Sequence, residues 1–247
     1  MIGPVIRLAL LFALLTASAG RALAGPPFVS DDPEPTSYKH YEIYLFTGGT
    51  NMRDGTGGAA GLDFNYGATP DLQLTAVFPI AFDNPTAGAT ALGLGNIELA
   101  AKYRFLHQEE IGWDVAVFPR LFLPSASANV GEKHFSLLLP LWVGKDWGDW
   151  SAFGGGGCVI NRGGSSQDFC LAGWAVTRQV LPNHKLGAEI VHQSADTKGG
   201  RAITAVGGGL IYDIDDNNRL LAYTGPGLQN AAETGRYSWY GSILFTF

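Results

Sequence analysis

The last eleven residues, Tyr237 to Phe247, constrain the fold more than any other part of the chain. Even-numbered positions in this stretch are mostly polar, whereas odd-numbered positions carry the apolar and aromatic side chains Tyr237, Trp239, Ile243, Phe245 and Phe247. This period of two predicts a β-strand with one apolar face. Aromatic residues at both ends of about ten alternating residues are typical of a strand that crosses a bilayer between two interfacial girdles.

The same five odd-numbered side chains resemble the carboxy-terminal assembly signal of bacterial outer-membrane β-barrels. The resemblance implies that barrel-assembly machinery recognises this strand and that outer-membrane lipid surrounds it. A soluble edge strand is the alternative interpretation. The remainder of the chain has to decide between them.

The amino-terminal residues predict export. Arg7 precedes the apolar run Leu8 to Leu15, and Ala22-Leu23-Ala24 has the small-x-small pattern of a cleavage site. The apolar run is shorter than the roughly 20 residues that a spanning helix needs, which argues against a membrane anchor. We therefore expect residues 1–24 to be a cleaved signal peptide.

Residues 25–40 differ in composition from the rest of the chain. They contain four prolines and several carboxylates, so they suit neither a helix nor a strand ladder. We expect an extended periplasmic lead-in here, followed by one outer-membrane barrel over residues 41–247. Charged residues make up only 15% of the chain and glycine is abundant at 34, both of which suit a barrel with a lipid-facing surface. The excess of 22 acidic over 16 basic residues argues against nucleic acid as a partner.

Alternating segments of about ten residues recur along the chain and are separated by turn-forming residues. They predict twelve strands in an all-β, up-and-down antiparallel transmembrane β-barrel. The expected strands lie near 41–48, 58–68, 71–82, 95–106, 112–122, 134–145, 149–160, 168–180, 185–195, 201–213, 219–225 and 237–247.

The connections between these strands alternate in length. Short links are expected at 68–70, 107–111, 146–148, 181–184 and 214–218, and longer ones at 49–57, 83–94, 123–133, 161–167, 196–200 and 226–236. Outer-membrane barrels of Gram-negative bacteria have short periplasmic turns and longer external loops. The alternation therefore predicts an even strand count with both termini in the periplasm.

Two hairpin registers can be predicted from the faces of the strands. If the lipid faces of the fourth and fifth strands coincide with partner numbers summing to 218, Arg104 lies opposite Asp114 and Glu98 opposite Arg120. A sum of 138 for the second and third strands puts Asn65 opposite Gln73.

The inward-facing charges are the first functional candidates. We expect five of them to line the lumen, namely Glu98, Lys102, Arg104, Asp114 and Arg120, with Glu42, Asp63 and Glu189 as further members. They could bias what passes through a pore. Alternatively, they neutralise one another and fill a narrow lumen. The cluster, an inward Trp142 or Tyr240, or the proline-rich segment could each plug the barrel, so the sequence leaves open whether the lumen is open.

The two cysteines, Cys158 and Cys170, lie symmetrically about Gly164 in adjacent strands. A symmetric hairpin places them opposite each other, and an oxidising compartment then favours a disulfide. Neither their spacing nor a neighbouring histidine indicates a metal site, and we expect no metal and no cofactor. The glycine run 154–157 lacks the Lys-Ser/Thr of a phosphate-binding loop.

An enzyme could use His192 and Ser194, which are two residues apart and therefore share a strand face. Outer-membrane lipid hydrolases place such a pair on the lipid-facing side near the external rim. Neither Glu189 nor Asp196 shares the parity of that pair, which weakens a triad. A polar girdle at the head of the strand is the alternative, and we assign no catalytic residue.

Several stretches together resemble one family, the outer-membrane proteins named for the meta pathway of phenol degradation and often labelled transporters. These stretches, in chain order, are Pro26-Pro27-Phe28-Val29-Ser30-Asp31-Asp32-Pro33, Trp150-Ser151-Ala152-Phe153 with Gly154 to Gly157, Gly173-Trp174, Leu186 to Gln193 and the last strand. The resemblance implies a barrel that passes or senses hydrophobic or aromatic compounds, and it brings no established catalytic or ligand residues.

The sequence thus predicts a passive, porin-like channel or transporter for small molecules, hydrophobic or aromatic ones among them. The alternatives are a lipid hydrolase that uses Ser194 and His192, and a structural barrel whose external loops contact a partner. The oligomeric state is left open.

Overall fold

A computed structural model describes residues 27–127 and 130–247, so the predicted signal peptide lies outside the described residues. The described chain forms a single antiparallel sheet with two one-turn helices. The strands are β1 (Tyr41–Met52), β2 (Gly55–Thr69), β3 (Leu72–Pro85), β4 (Ala91–Leu94), β5 (Glu98–Leu106), β6 (Asp114–Val117), β7 (Arg120–Phe122), β8 (Ser136–Trp147), β9 (Trp150–Ile160), β10 (Phe169–Leu181), β11 (His184–Gln193), β12 (Ile203–Asp213), β13 (Asn218–Gln229) and β14 (Tyr237–Thr246). The helices are α1 (Gln108–Ile111) and α2 (Ala231–Thr234).

The sheet closes into a barrel of twelve wall strands, which confirms the predicted fold and strand number. The first strand β1 pairs with the last strand β14 along its length, with Ile43 opposite Phe245. Two wall strands are interrupted: β4 and β5 both pair with β3, and β6 and β7 both lie between β5 and β8. Pro119 sits in the second interruption, where it has no N–H to donate to the ladder.

The wall has an apolar outer face and a polar inner face. Large apolar side chains point outward and stay exposed, such as Leu45 at 53%, Leu99 at 45% and Ile190 at 52%. Polar side chains such as Asn65 and Gln73 point inward and are buried. This inverted distribution suits a surface in contact with lipid, where every backbone group is satisfied by the closed ladder. Within the described ranges, no helix is both long and apolar enough to span a membrane.

Both predicted registers are wrong by two residues, although the predicted faces are correct. Partner numbers sum to 220 between β5 and its neighbours β6 and β7, so Ala100 lies opposite Arg120. They sum to 140 between β2 and β3, so Asn65 lies opposite Thr75. A shift of two residues leaves every side chain on its original face. The predicted partners therefore still meet, but diagonally: Gln73 donates to Asn65 Oδ1 at 2.7 Å.

Turn geometry explains these shifts. The β2–β3 connection centres on Pro70 and Asp71, because proline suits the first central position of a tight turn, and a bulge between Gly67 and Thr69 adjusts the ladder. The β5–β6 connection contains the one-turn helix α1, which ends at Gly112 with a left-handed φ of 82°. That helix moves the centre of the hairpin along the chain.

The two ends of the barrel differ in their connections. At one end, called the short-turn end, the strands are joined through residues 70–71, 107–113, 148–149, 182–183 and 214–217. At the other, the long-loop end, the joins are 53–54, 86–90, 123–135, 161–168, 194–202 and 230–236. The alternation is therefore present with two exceptions, the connection 107–113, which contains α1 and has seven residues, and the connection 53–54, which has two. The long loop predicted at 49–57 is wrong, because β1 and β2 continue through these residues and turn at Arg53–Asp54.

The ionised carboxylate of Asp71 is expected to stabilise the short-turn end in a pH-dependent way. His107 Nε2 lies 2.7 Å from its Oδ1 and Arg104 lies at 3.4 Å. The hydrogen bond from His107, with the charge of Arg104, holds the pKa of the Asp71 carboxyl below its ordinary value of 3.8. A lowered folded-state pKa stabilises the fold above the unfolded-state pKa, and this contribution is lost as the pH falls through the folded-state value.

We expect Asp71→Asn to lower stability by less than about 1 kcal/mol at pH 7, the range of a solvent-exposed ion pair. The difference from wild type should shrink to nothing below the folded-state pKa of Asp71. Thermal unfolding of both proteins at neutral and strongly acidic pH measures this. Glu109→Gln removes one charge from the exposed helix α1 at the same end and serves as the control. A pH-independent difference between Asp71→Asn and wild type would contradict the interpretation.

Candidate functional site

The inner part of the proline-rich lead-in lies inside the barrel. Residues 27–36, called here the plug segment, contact inward-facing side chains around the circumference. Their partners belong to β1, β3, β5, β8, β9, β11, β12 and β13. Beyond Thr36 the chain bridges to the wall at the short-turn end, where Tyr38 pairs with Gly67 of β2. The extended lead-in predicted from the sequence therefore enters the lumen.

Phe28 anchors the plug segment. Its ring meets the rings of Phe153 and Tyr223 edge-on, with centroid distances of 5.9 Å to each. Two glycines make room for it: a Cβ on Gly187 would lie 2.5 Å from Phe28 Cζ, and one on Gly209 would lie 2.6 Å from the same atom. Edge-to-face packing of buried aromatic rings adds stabilisation beyond that of the apolar area they bury. The inner wall therefore has a seat shaped for this ring.

Glu189 fixes the backbone next to that anchor. Its Oε1 accepts the Ser30 N–H at 2.5 Å and its Oε2 accepts the Val29 N–H at 3.1 Å. Glu189 is buried on β11 and faces inward, as its parity predicted. Hydrogen bonds to an ionised acceptor are about twice as strong as neutral ones. The carboxylate thus accepts hydrogen bonds from two backbone amides that would otherwise lack a partner inside the barrel.

Lys102 holds the middle of the plug segment. Its ammonium lies 2.9 Å from Asp31 and 3.7 Å from Asp32, and it also donates to the Glu34 carbonyl at 3.3 Å. Burial raises the pKa of the Asp32 carboxyl well above its ordinary value, and the nearby Lys102 charge opposes this rise. Burying a lysine costs free energy unless it is paired with an opposite charge. The plug segment therefore stabilises the buried Lys102, and Lys102 in turn holds the segment in place.

An amide and hydroxyl network holds the end of the plug segment nearest the short turns. Gln73 Oε1 accepts the Thr36 N–H at 2.8 Å, and Glu42 accepts the Thr36 hydroxyl at 3.2 Å. The Thr75 hydroxyl and the Gln73 amide both donate to Asn65 Oδ1, at 2.5 and 2.7 Å. Thr36, Asn65, Gln73 and Thr75 are buried, and their polar groups are satisfied within this network.

The structure places all five predicted lumen residues on the inner face. Arg120 makes a two-point contact with Glu98, at 2.7 and 3.0 Å, and Arg104 lies 3.5 Å from Asp114. Lys102 instead faces the plug segment. Two pairs therefore neutralise each other, whereas the third cation is used to hold the lead-in.

A cavity of about 390 Å³ lies beside the plug segment. Its lining includes the aromatic rings of Phe46, Phe118, Phe122 and Tyr240. The lining is also charged, and its carboxylates, Asp31, Asp32, Glu34, Glu42, Asp63 and Glu98, outnumber its cations, Lys102 and Arg120, both of which lie over the Phe118 ring. The cavity is thus amphiphilic and carries a negative excess.

Sequence reasoning missed several residues of the site. Phe153 and Tyr223 form the aromatic seat with Gly187 and Gly209; none of them was predicted as a site residue, although Phe153 and Gly187 lie in stretches that carry the family resemblance. Inward parity could have identified Phe153 and Tyr223, but nothing local indicates that Phe28 is their partner. Trp142, one of the suspected obstructions, is buried in the inner wall at 1% exposure.

Cys158 and Cys170 lie directly opposite each other on β9 and β10 and are joined by a disulfide. The other candidate pair is not assembled for catalysis. His192 Nδ1 lies 2.8 Å from the Thr204 hydroxyl, whereas Ser194 Oγ accepts the Cys170 N–H at 2.9 Å. Each of the two side chains therefore makes a hydrogen bond with a different residue, and not with the other. Within residues 27–127 and 130–247, no group of acidic, histidine or cysteine side chains is arranged to hold a metal ion.

The seat of Phe28 can be tested by a pair of adjacent glycines. Gly209→Val would place its side chain on the Phe28 ring, whereas Gly208 faces outward and a Cβ there meets only Gly187 O at 3.7 Å. Overpacking costs about 1–3 kcal/mol, so we expect Gly209→Val to raise amide exchange at Val29 and Ser30 at least about tenfold. Gly208→Val should exchange like wild type. Equal exchange in both variants would contradict the seat, and unchanged exchange in the β1 and β14 amides would show that the barrel is intact.

Comparison with known proteins agrees with this architecture. The crystal structure of the COG4313 outer membrane channel from Pseudomonas putida F1 superposes with a TM-score of 0.71 at 16% identity, covering 87% of this chain and 98% of that chain. The KdgM porin gives 0.60 at 12% identity, with 83% and 99% covered, and the NanC porin gives 0.56 at 10% identity, with 82% and 98% covered. No curated protein matched by sequence. The model of the family described as "Putative MetA-pathway of phenol degradation" matches residues 45–245, and the chain belongs to that family.

Proposed function

We propose that this protein is a passive outer-membrane channel for small molecules, hydrophobic or aromatic ones among them, and that the plug segment closes its lumen at rest. The observation that carries the proposal is the amphiphilic cavity of about 390 Å³ between the plug segment and the inner wall. A packed, structural barrel would have filled this space with side chains. A closed barrel with an occupied but unfilled lumen suits a conduit.

The contacts of the plug segment support reversible closure. Phe28 and Glu189 hold one part of it, Lys102 the middle, and Gln73 the part next to the short turns. These are separate non-covalent contacts on a segment that has no strand ladder of its own. Its release would leave the wall ladder complete, because β1 and β14 close the barrel without it.

The lining supports the proposed solutes. Phe46, Phe118 and Tyr240 offer aromatic faces to an apolar or aromatic molecule, and the carboxylates of the same lining favour a positive charge. The connection lengths support periplasmic termini, with the short-turn end toward the periplasm. The exposed outer face of β14 supports recognition by barrel-assembly machinery, with Tyr237 at 49% and Phe247 at 68% exposure.

Single-channel conductance in a planar bilayer tests closure by the plug segment. We expect small or intermittent currents from wild type and large steady currents after deletion of residues 27–36, because the deletion empties the lumen. Phe28→Ala and Glu189→Gln, each of which removes one anchor, should give intermediate open times. Silence of all four proteins, with folding confirmed by circular dichroism, would contradict the channel.

Deletion of the plug segment removes Asp31, Asp32 and Glu34, but the strands still place eight carboxylates and five cations on the inner face, an excess that predicts cation selectivity. In a salt gradient, the reversal potential of the deletion variant should indicate cation preference, and adding Glu42→Gln with Asp63→Asn should move it toward zero. Glu109→Gln with Glu110→Gln replaces the same number of carboxylates in helix α1 outside the lumen, and it should leave the potential nearly unchanged. An equal effect of both double variants would show that the cavity does not select.

A further inference from the structure

Four of the six tryptophans lie together on the outer face of the barrel near the short-turn end. Trp113 precedes β6, Trp147 and Trp150 flank the turn between β8 and β9, and Trp174 lies on β10. All four stay exposed, at 39%, 46%, 39% and 38% respectively. Tryptophan rings gather at the headgroup level of a bilayer, so the patch marks where the wall meets the membrane surface.

Two basic side chains lie within this patch, each against a ring. Lys145 Nζ is 5.6 Å from the centroid of Trp113, and the Arg178 guanidinium is 5.1 Å from that of Trp150. By strand alternation both face outward, with Lys145 on the same face as Trp147 and Arg178 on the same face as Trp174. Neither forms an ion pair with any part of the chain that the structure describes.

No strand that the structure describes places a carboxylate beside these two charges on the outer wall, and Asp149, in the turn between Trp147 and Trp150, forms no ion pair with either. By the same alternation, every carboxylate of the described strands has inward parity: Glu42, Asp63, Asp83, Glu98, Asp114, Asp146, Glu189 and Asp213. The other strand lysines and arginines also have inward parity: Lys102, Arg104, Arg120, Lys185 and Arg219. The outer wall therefore carries a localised positive charge at one place only among the strands described.

The spacing of the two cations suits a single anionic headgroup. Lys145 is opposite Ala152 on β9, and Arg178 is opposite Trp150 on the same strand. The two are thus separated by two strand spacings across the sheet and two residues along it, about 12 Å, and both side chains are long enough to reach toward the space between them. Ala152 is only 7% exposed, so outward side chains of its neighbours already cover the wall there, and a headgroup would lie above them. The rings limit the freedom of both cations in advance, which lowers the entropic cost of binding.

We propose that Lys145 and Arg178, held by Trp113 and Trp150, bind the phosphate of an anionic glycerophospholipid in the leaflet at the short-turn end. The lipid supplies the negative charge that the wall lacks, and its acyl chains lie along the apolar face above. A phospholipid is the occupant because the orientation proposed above places this end in the periplasmic leaflet. The inference concerns the outer wall and does not depend on whether the lumen conducts.

Native mass spectrometry of the detergent-purified full chain tests the site with phosphatidylglycerol, phosphatidylethanolamine and lipid A as separate probes. We expect wild type to retain one phosphatidylglycerol in preference to phosphatidylethanolamine. Lys145→Gln with Arg178→Gln should weaken that binding at least about tenfold, as expected for two lost contacts of a cation with an anionic headgroup. Trp150→Leu keeps both charges and should weaken it less.

Arg53→Gln with Arg236→Gln is the matched control, since both residues are exposed near the long-loop end, and it should bind like wild type. Equal binding by the two double variants would overturn the proposal. So would retention of both phospholipids alike, or preference for lipid A over phosphatidylglycerol, which would assign the patch to the opposite leaflet. Circular dichroism of each variant shows whether a loss of binding reflects a loss of fold.

Discussion

Hydrogen-bond closure is the constraint on which the rest of this structure depends. A backbone amide in hydrocarbon has no water to bond with, so the sheet must have no free edge. The pairing of β1 with β14 removes that edge, and every other feature is arranged around the resulting cylinder. Apolar side chains go to the outside, and the charged and amide groups that a soluble protein would place on its surface are collected inside.

That collection creates a second requirement, since charges inside a narrow cylinder must be compensated. Glu98 and Arg120 compensate each other within the wall. The main partners of Lys102 and Glu189 lie in the plug segment and not on neighbouring strands. Asp31 forms an ion pair with Lys102, and two backbone amides donate to Glu189. The lead-in is therefore part of the electrostatics of the barrel. Its release would require water or a solute to take its place.

Alternation was sufficient to predict the number of strands and their approximate bounds, and the expected lumen residues Glu98 and Lys102 are buried. It could not fix the registers, because a slip of two residues leaves all faces unchanged and diagonal neighbours such as Glu98 and Arg120 still bond. Those registers are set by Pro70 and helix α1, whose local geometry no periodic pattern reveals.

The sequence raised the proline-rich segment as one of several possible plugs, but it could not identify the partners of that segment, for a different reason. Proline-rich, acidic residues 27–36 have the composition of a solvated tail, and their partners lie far away along the chain. The glycines that seat Phe28 are indistinguishable in sequence from glycines that only curve a strand. Only the closed cylinder brings Phe28, Phe153 and Tyr223 together.

The hydrogen bond from Ser30 to Glu189 spans 159 residues of sequence, and this separation has a kinetic meaning. The plug segment precedes the first strand, yet its seat is built from strands β9 to β13, which are among the last to be made. Contacts this distant carry a loop-closure cost that is recovered only when the wall is nearly complete. The plug segment can therefore dock only in a barrel whose carboxy-terminal half has already formed, so its docking is a late step of assembly.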